Sequence, residues 1–224
     1  MAALTFDALL RSLKKGAQRV PPHPVYLLYG DEDVLKQEAV DALLDATVER
    51  AGGARDFNLD IRYAGDLDAE SFHALVNTPP MLASRRAVVV RGIDQLGKRK
   101  SKLRDEILRY AAAPNPSTVL ILVTAAGEDP DTELARLART ASIGPLEPER
   151  VSRWLAHHAA KRDLVLAPDA ADLLIAAVGA DLGALASELE KLAAFAASSG
   201  QPVSAADVTA LVGVRRGETV HDLV

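Results

Sequence analysis

Cysteine is absent from this 224-residue chain, which removes disulfide frameworks and thiolate metal sites together. No stretch approaches the roughly 18 consecutive apolar residues that a membrane-spanning helix needs. Positive charge is scarce: 26 Lys and Arg against 31 Asp and Glu leave a formal charge of −5, which argues against a strong nonspecific grip on nucleic acid. The N-terminal Met-Ala-Ala-Leu-Thr-Phe-Asp lacks a charged-then-apolar leader, so a cytosolic protein is expected. Metal-binding histidine pairs are missing too. His23, His73, His157, His158 and His221 form no HExxH or HxH pattern, and all five read as surface residues. Ser84 and Ser101 lack the glycine-flanked turn of a serine nucleophile.

What is present is apolar residue in quantity, 49% of the chain, enough for a sizeable core. Leu4, Phe6, Leu9, Leu10 and Leu13 recur at helical spacing, and Pro21-Pro22-His23-Pro24 ends that helix. Val25 to Tyr29 is a wholly apolar run closed by Gly30, as a strand buried on both faces requires. A helix then carries Leu35, Ala39, Leu43, Leu44 and Val48 and stops near Gly52-Gly53. Phe57 to Tyr63 alternates as a strand, and Ala69 to Val76 is a short helix followed by the loop Asn77 to Ser84. Ala87–Val90, Lys102–Ala112 and Val119–Val123 read as strand, helix and strand. This alternation predicts a parallel sheet in a three-layer α/β domain. After Gly144-Pro145 only helical periodicity remains, over Arg150–Arg162, Pro168–Val178, Leu182–Ala197 and Ala205–Val212. The chain stops at Val224 as a further helix begins at Glu218; a fragment is expected, with a short ordered tail as the alternative.

A buried strand ending in glycine and entering a helix is where a phosphate-binding loop sits, as glycine, four residues, then Gly-Lys-Ser/Thr. Here Gly30 takes the first position and Lys36 the lysine, but Leu35 replaces the second glycine and Gln37 the hydroxyl. Asp31, Glu32 and Asp33 lie between. Each like-charge contact with phosphate at ~4 Å costs about 4 kcal/mol at an effective dielectric near 20. The acids read instead as a helix N-terminus, complementing its dipole and capping free amides. Nor does the strand Val88–Val90 end in Asp-Glu for magnesium; it ends in Arg91-Gly92. Arg139, placed near a helix end, reads as a surface arginine. Glu128, Asp129, Asp131 and Glu133 read as an acidic helix cap.

Three motifs in order resemble the delta family of bacterial clamp-loader subunits. They are Val25-Tyr26-Leu27-Leu28-Tyr29-Gly30-Asp31-Glu32, then Asn77-Thr78-Pro79-Pro80-Met81-Leu82-Ala83-Ser84-Arg85-Arg86 leading into Ala87–Val90, then Gly179-Ala180-Asp181-Leu182 with Leu185 and Glu188-Leu189-Glu190-Lys191-Leu192. The resemblance implies an AAA+-like α/β domain over residues 1–145 and a helical lid over 146–213, with residues 214–224 starting a collar domain that is mostly absent. It implies a subunit of the DNA polymerase III holoenzyme, a nucleotidyltransferase complex, with no activity or cofactor of its own. The partners implied are the sliding clamp (the beta subunit), the gamma/tau and delta-prime subunits, and DNA only indirectly; no membrane is implied.

The same resemblance places clamp contact at Met81 and Leu82, where a Leu-Phe pair is familiar in the family, with Leu75, Val76, Arg85 and Arg86 as a rim. The residues alone leave two outcomes open. Pro79-Pro80 stiffens the loop and lowers the entropy of presenting two apolar side chains to a partner; alternatively both turn inward onto Leu75 and Val76. The two arginines are equally readable as ordinary surface charges. The basic run Lys98-Arg99-Lys100-Ser101-Lys102 reads as a solvated helix start, with a phosphate contact as its alternative. Two rival readings are a delta-prime-like paralogue, which should carry a Ser-Arg-Cys-like motif and zinc cysteines that this chain lacks, and an atypical P-loop NTPase.

Overall fold

A computed structural model describes residues 2–16, 22–48, 54–96 and 101–213. The expected ends at Pro21 and at Gly52-Gly53, the basic residues Lys98 to Lys100, and the segment 214–224 with His221 lie outside the described residues. The chain divides into two compact units, Met1–Gly144 and Pro145–Val224.

The first unit is built on six parallel strands: β1 (Leu4–Thr5), β2 (Val25–Tyr29), β3 (Leu59–Tyr63), β4 (Arg86–Arg91), β5 (Thr118–Val123) and β6 (Arg139–Ser142). Their order across the sheet is β1-β6-β2-β5-β4-β3. The apolar runs of β2, β4 and β5 sit centrally because both of their faces are covered. Register aligns Val25 with Leu120 and Val88 with Leu120, so alternate residues share a face. On one face, Val25, Leu27, Val88, Val90, Leu120 and Leu122 form a core with Phe72 and Val76 of α4 (Ala69–Asn77), Ile107 and Tyr110 of α5 (Lys102–Ala112) and Leu134 of α6 (Thr132–Leu137). The other face carries α1 (Phe6–Gly16) and α2 (Asp33–Thr47); α2 packs on β4 and β5 and against α1.

Three local expectations need correction. Leu4 and Thr5 are not helical but form an edge strand on β6. Arg139 is not near a helix end: it opens β6, with Tyr26 opposite. Arg-Thr-Ala-Ser holds one strand former, Thr140, and is too short and polar to read as a strand; β1 and β2 flank it and bury Thr140 and Ala141. Phe57 closes a short helix, α3 (Ala54–Phe57), so the strand begins only at Leu59. The alternation was real, but Ile61 and Tyr63 lie exposed at the sheet edge, where β3 pairs only with β4.

The second unit packs α7 (Pro148–Ala160), α8 (Pro168–Val178), α9 (Leu182–Ser199) and α10 (Ala205–Val208) around Trp154, Leu155, Leu174, Leu185, Leu189 and Val208. Prolines open α7 and α8, where the missing N–H is harmless. Asp181 caps α9, and Ser204 with Asp207 forms a capping box on α10. His158 is a correction: it is buried and stacked on Trp154 at 4.1 Å between ring centres.

Candidate functional site

The turn after β2 shows what became of the phosphate-loop position. Gly30 has φ +116°, and a Cβ there would fall 2.3 Å from the Ile143 carbonyl oxygen. Ile143 N donates to Tyr29 O at 2.8 Å, and Glu32 N donates to Ile143 O at 3.3 Å. The close approach that a glycine permits is therefore taken up by the chain's own backbone, and the amide of Glu32 is spent on a carbonyl.

Lys36 is 1% exposed. Its ammonium donates to Thr124 O at 3.0 Å and pairs with Asp33 at 2.7 Å. The capping expectation for the acids is corrected in part: Glu32, at the N-cap, makes no side-chain cap bond, while Asp31 accepts from Gly127 N at 3.0 Å. Arg91, at the end of β4, donates to Gln37, the residue standing where a magnesium-binding hydroxyl is needed. Lys36, Asp33, Gln37, Arg91 and Thr124 line an open cleft of about 520 Å³ at the carboxyl ends of the strands, with Asp33 its one carboxylate. Truncating Lys36 to alanine is expected to cost about 2 kcal/mol, by leaving a cavity and orphaning Thr124 O. Methionine, which refills the volume but leaves Thr124 O unpaired, should recover about half of that in urea denaturation. Equal stability of the alanine variant and the parent would show that the lysine is not a structural strut.

At the opposite end of the sheet lies the loop between α4 and β4. Asp68 caps α4 by accepting from Ser71 N at 2.8 Å, and this bond holds its carboxyl below the ordinary carboxylate range. The carbonyls of the last turn are met by side chains: Asn77 on His73 O, Thr78 on Ala74 O, and Thr118 of β5 on Val76 O. Beyond the helix, buried Asn58 grips Met81 through both backbone groups. Its Nδ2 donates to Met81 O at 2.6 Å and its Oδ1 accepts from Met81 N at 2.7 Å. Arg86, also buried, donates to Thr78 O at 3.2 Å and pairs with Asp60 of β3.

The loop so held presents its apolar residues outward. Met81 is 55% exposed and Leu82 is 90% exposed. Leu82 also has φ +54°, a left-handed conformation that costs a residue with a Cβ roughly 1–2 kcal/mol. Strain and exposure on one bulky apolar residue are sustained only because the surrounding bonds fix the loop. Leu75 is half-buried against the core, and Arg85 is half-buried with its guanidinium 3.5 Å from Pro22 O. Two expectations for the rim fail. Val76 is fully buried in the core, where its side chain has no surface to offer, and Arg86 is an internal tie, neither rim nor surface charge. Sequence reasoning missed Asn58, Asp60 and Arg86 as the loop's anchors; an amide at the head of an alternating run was the available signal.

The family model for the delta subunit of DNA polymerase III matches residues 26–142, more than half of the chain, and takes in both the turn after β2 and this loop. The chain belongs to that family. It is 26% identical to DNA polymerase III subunit delta of Bacillus subtilis, over 99% of this chain and 64% of that relative's length. Among solved structures, the Bacillus subtilis DNA clamp loader delta protein superposes with a TM-score of 0.58, at 24% identity over 92% of this chain and 62% of that one. The Thermotoga maritima RuvB Holliday junction branch migration motor gives 0.62, at 11% identity over 93% of this chain and 67% of that one. Domain III of the Thermotoga maritima replication initiation protein DnaA gives 0.58, at 12% identity over 92% and 91%. The fold is thus AAA+-like, a parallel sheet between helical layers followed by a helical unit. The delta family is the member of that fold class to which this sequence belongs.

Proposed function

We propose that this chain binds the DNA polymerase sliding clamp through Met81 and Leu82 and, within a clamp loader, opens it during replication without hydrolysing ATP. The carrying observation is a delta-family chain that holds two bulky apolar residues outward on a backbone pinned by Asn58 and Arg86. Presentation is rigid, so little ordering entropy opposes docking. Leu75 and Arg85 flank the pair; Val76 supports it from within.

Opening follows from differential affinity. A tip that binds the open clamp interface better than the closed one shifts the clamp's own equilibrium by that difference. Energy for timing comes from ATP sites on other loader subunits, the gamma/tau copies, with delta-prime completing the assembly; DNA is met indirectly through the complex. In this reading the first unit is the AAA+-like clamp-contacting domain and the second is the lid. The protein works in the cytoplasm, at the replisome. The lack of ATPase chemistry is supported by Ile143 filling the Gly30 turn and by Lys36 being committed to Asp33 and Thr124.

The test is equilibrium binding to the organism's sliding clamp alongside a fluorescent ATP analogue. Saturable clamp binding is expected, with no magnesium-dependent affinity for the analogue in the micromolar range. Micromolar analogue binding without clamp binding would instead select the NTPase reading.

A further inference from the structure

We infer that Phe57 is a third contact residue of the docking surface and that the sliding clamp covers it; the inference rests on the reading of Met81 and Leu82 given above. Phe57 closes α3 and is 64% exposed, an aromatic ring left in water. The next residue, Asn58, is fully buried and holds Met81 by two hydrogen bonds. Phe57 is therefore one peptide unit from the clasp that fixes the tip. The clasp ties the segment that carries Phe57 to the segment that carries Met81 and Leu82, so the two cannot drift apart without breaking it.

Single exposed apolar residues are ordinary on a protein surface, whereas a fixed group of large ones marks a surface that a partner covers. Two aliphatic side chains are a small part of the roughly 800 Å² that each partner buries in a specific complex. A buried aromatic ring adds about 150–250 Å². Continuity with the tip selects the occupant: a body seated on Met81 and Leu82 meets Phe57 in the same encounter. Tyr63 supplies the contrast. It is 59% exposed and belongs to the same segment, but it closes β3 at the far end of the strand, about 13 Å beyond Leu59 at ~3.3 Å per residue.

Affinity for immobilised clamp, measured with the parent chain and its variants, tests the assignment. Phe57→Ala is expected to weaken binding about tenfold, Phe57→Leu to fall between it and the parent, and Tyr63→Ala to bind as the parent does. Because both side chains are exposed, all three variants should melt with the parent. Phe57→Ala binding within twofold of the parent, while the Met81, Leu82 double alanine variant loses binding, overturns the inference and leaves the clamp reading standing. A loss in Tyr63→Ala as large as that in Phe57→Ala also overturns it, since the effect would not depend on the tip. A double variant that binds like the parent removes the clamp reading itself.

Discussion

Replacing Met81 and Leu82 together by alanine is expected to abolish clamp binding while the melting temperature stays within about 2 °C of the parent. Binding falls because central apolar anchors carry most of an interface's energy, each costing about 2 kcal/mol or more when truncated. Two such losses, if additive, weaken binding about a thousandfold. Stability holds for a separate reason. Asn58 grips the backbone of Met81, which alanine retains, and the side chains removed are more than half exposed. The paired measurement separates the two outcomes that the sequence left open. A melting temperature lowered by many degrees would show that Met81 and Leu82 pack inward in solution, and the docking role would fall with that result.

Gly30→Ala is expected to destabilise the first unit by about 3 kcal/mol or more. The added methyl group would sit 2.3 Å from Ile143 O and 2.8 Å from Ile143 C, both backbone atoms that cannot swing aside, at a φ of +116°. Strain of this kind costs on the order of 1–3 kcal/mol, and overpacking adds a similar amount. For a chain of this size, about 3 kcal/mol lowers the melting temperature by roughly 6–12 °C. The effect should appear with no nucleotide present, because the glycine serves the close approach of the turn after β2 to Ile143, the residue that follows β6. An unchanged melting curve would mean that the turn relaxes freely and that Gly30 is not held by Ile143.

Much of the first unit was legible because its central strands are continuous apolar runs. Val25–Tyr29, Ala87–Val90 and Val119–Val123 can satisfy water nowhere, so a sheet covered on both faces is the only place for them. The helices α4 and α5 declared themselves by period; their capping residues, Asp68 and Ser101, came from the structure. β6 did not, because Arg-Thr-Ala-Ser becomes a strand only through the neighbours it pairs with. Phe57 to Tyr63 misled in a different way: its alternation is sound, but the apolar half of β3 faces an open edge rather than a core.

The docking pair was legible only as a choice. Met81 and Leu82 after two prolines fit an outward or an inward loop equally well, and the family resemblance favoured one. What holds them outward is a clasp from Asn58, 23 residues earlier, together with Arg86 tied to Asp60. Val76 shows the converse: helical spacing put it beside the tip, and packing turned it into the core.

By itself the sequence determined the alternating α/β order, the run of helices after Gly144, the absence of cysteine, and a turn at Gly30 that is acidic and lacks the second glycine of a phosphate-binding loop. Only the tertiary structure decided that Lys36 is a buried strut to Thr124, that Ile143 fills the Gly30 turn, and that Arg86 is internal. The reason is physical. Periodicity and composition act between residues a turn apart, whereas burial and hydrogen-bond partnership depend on groups that meet only when distant segments pack.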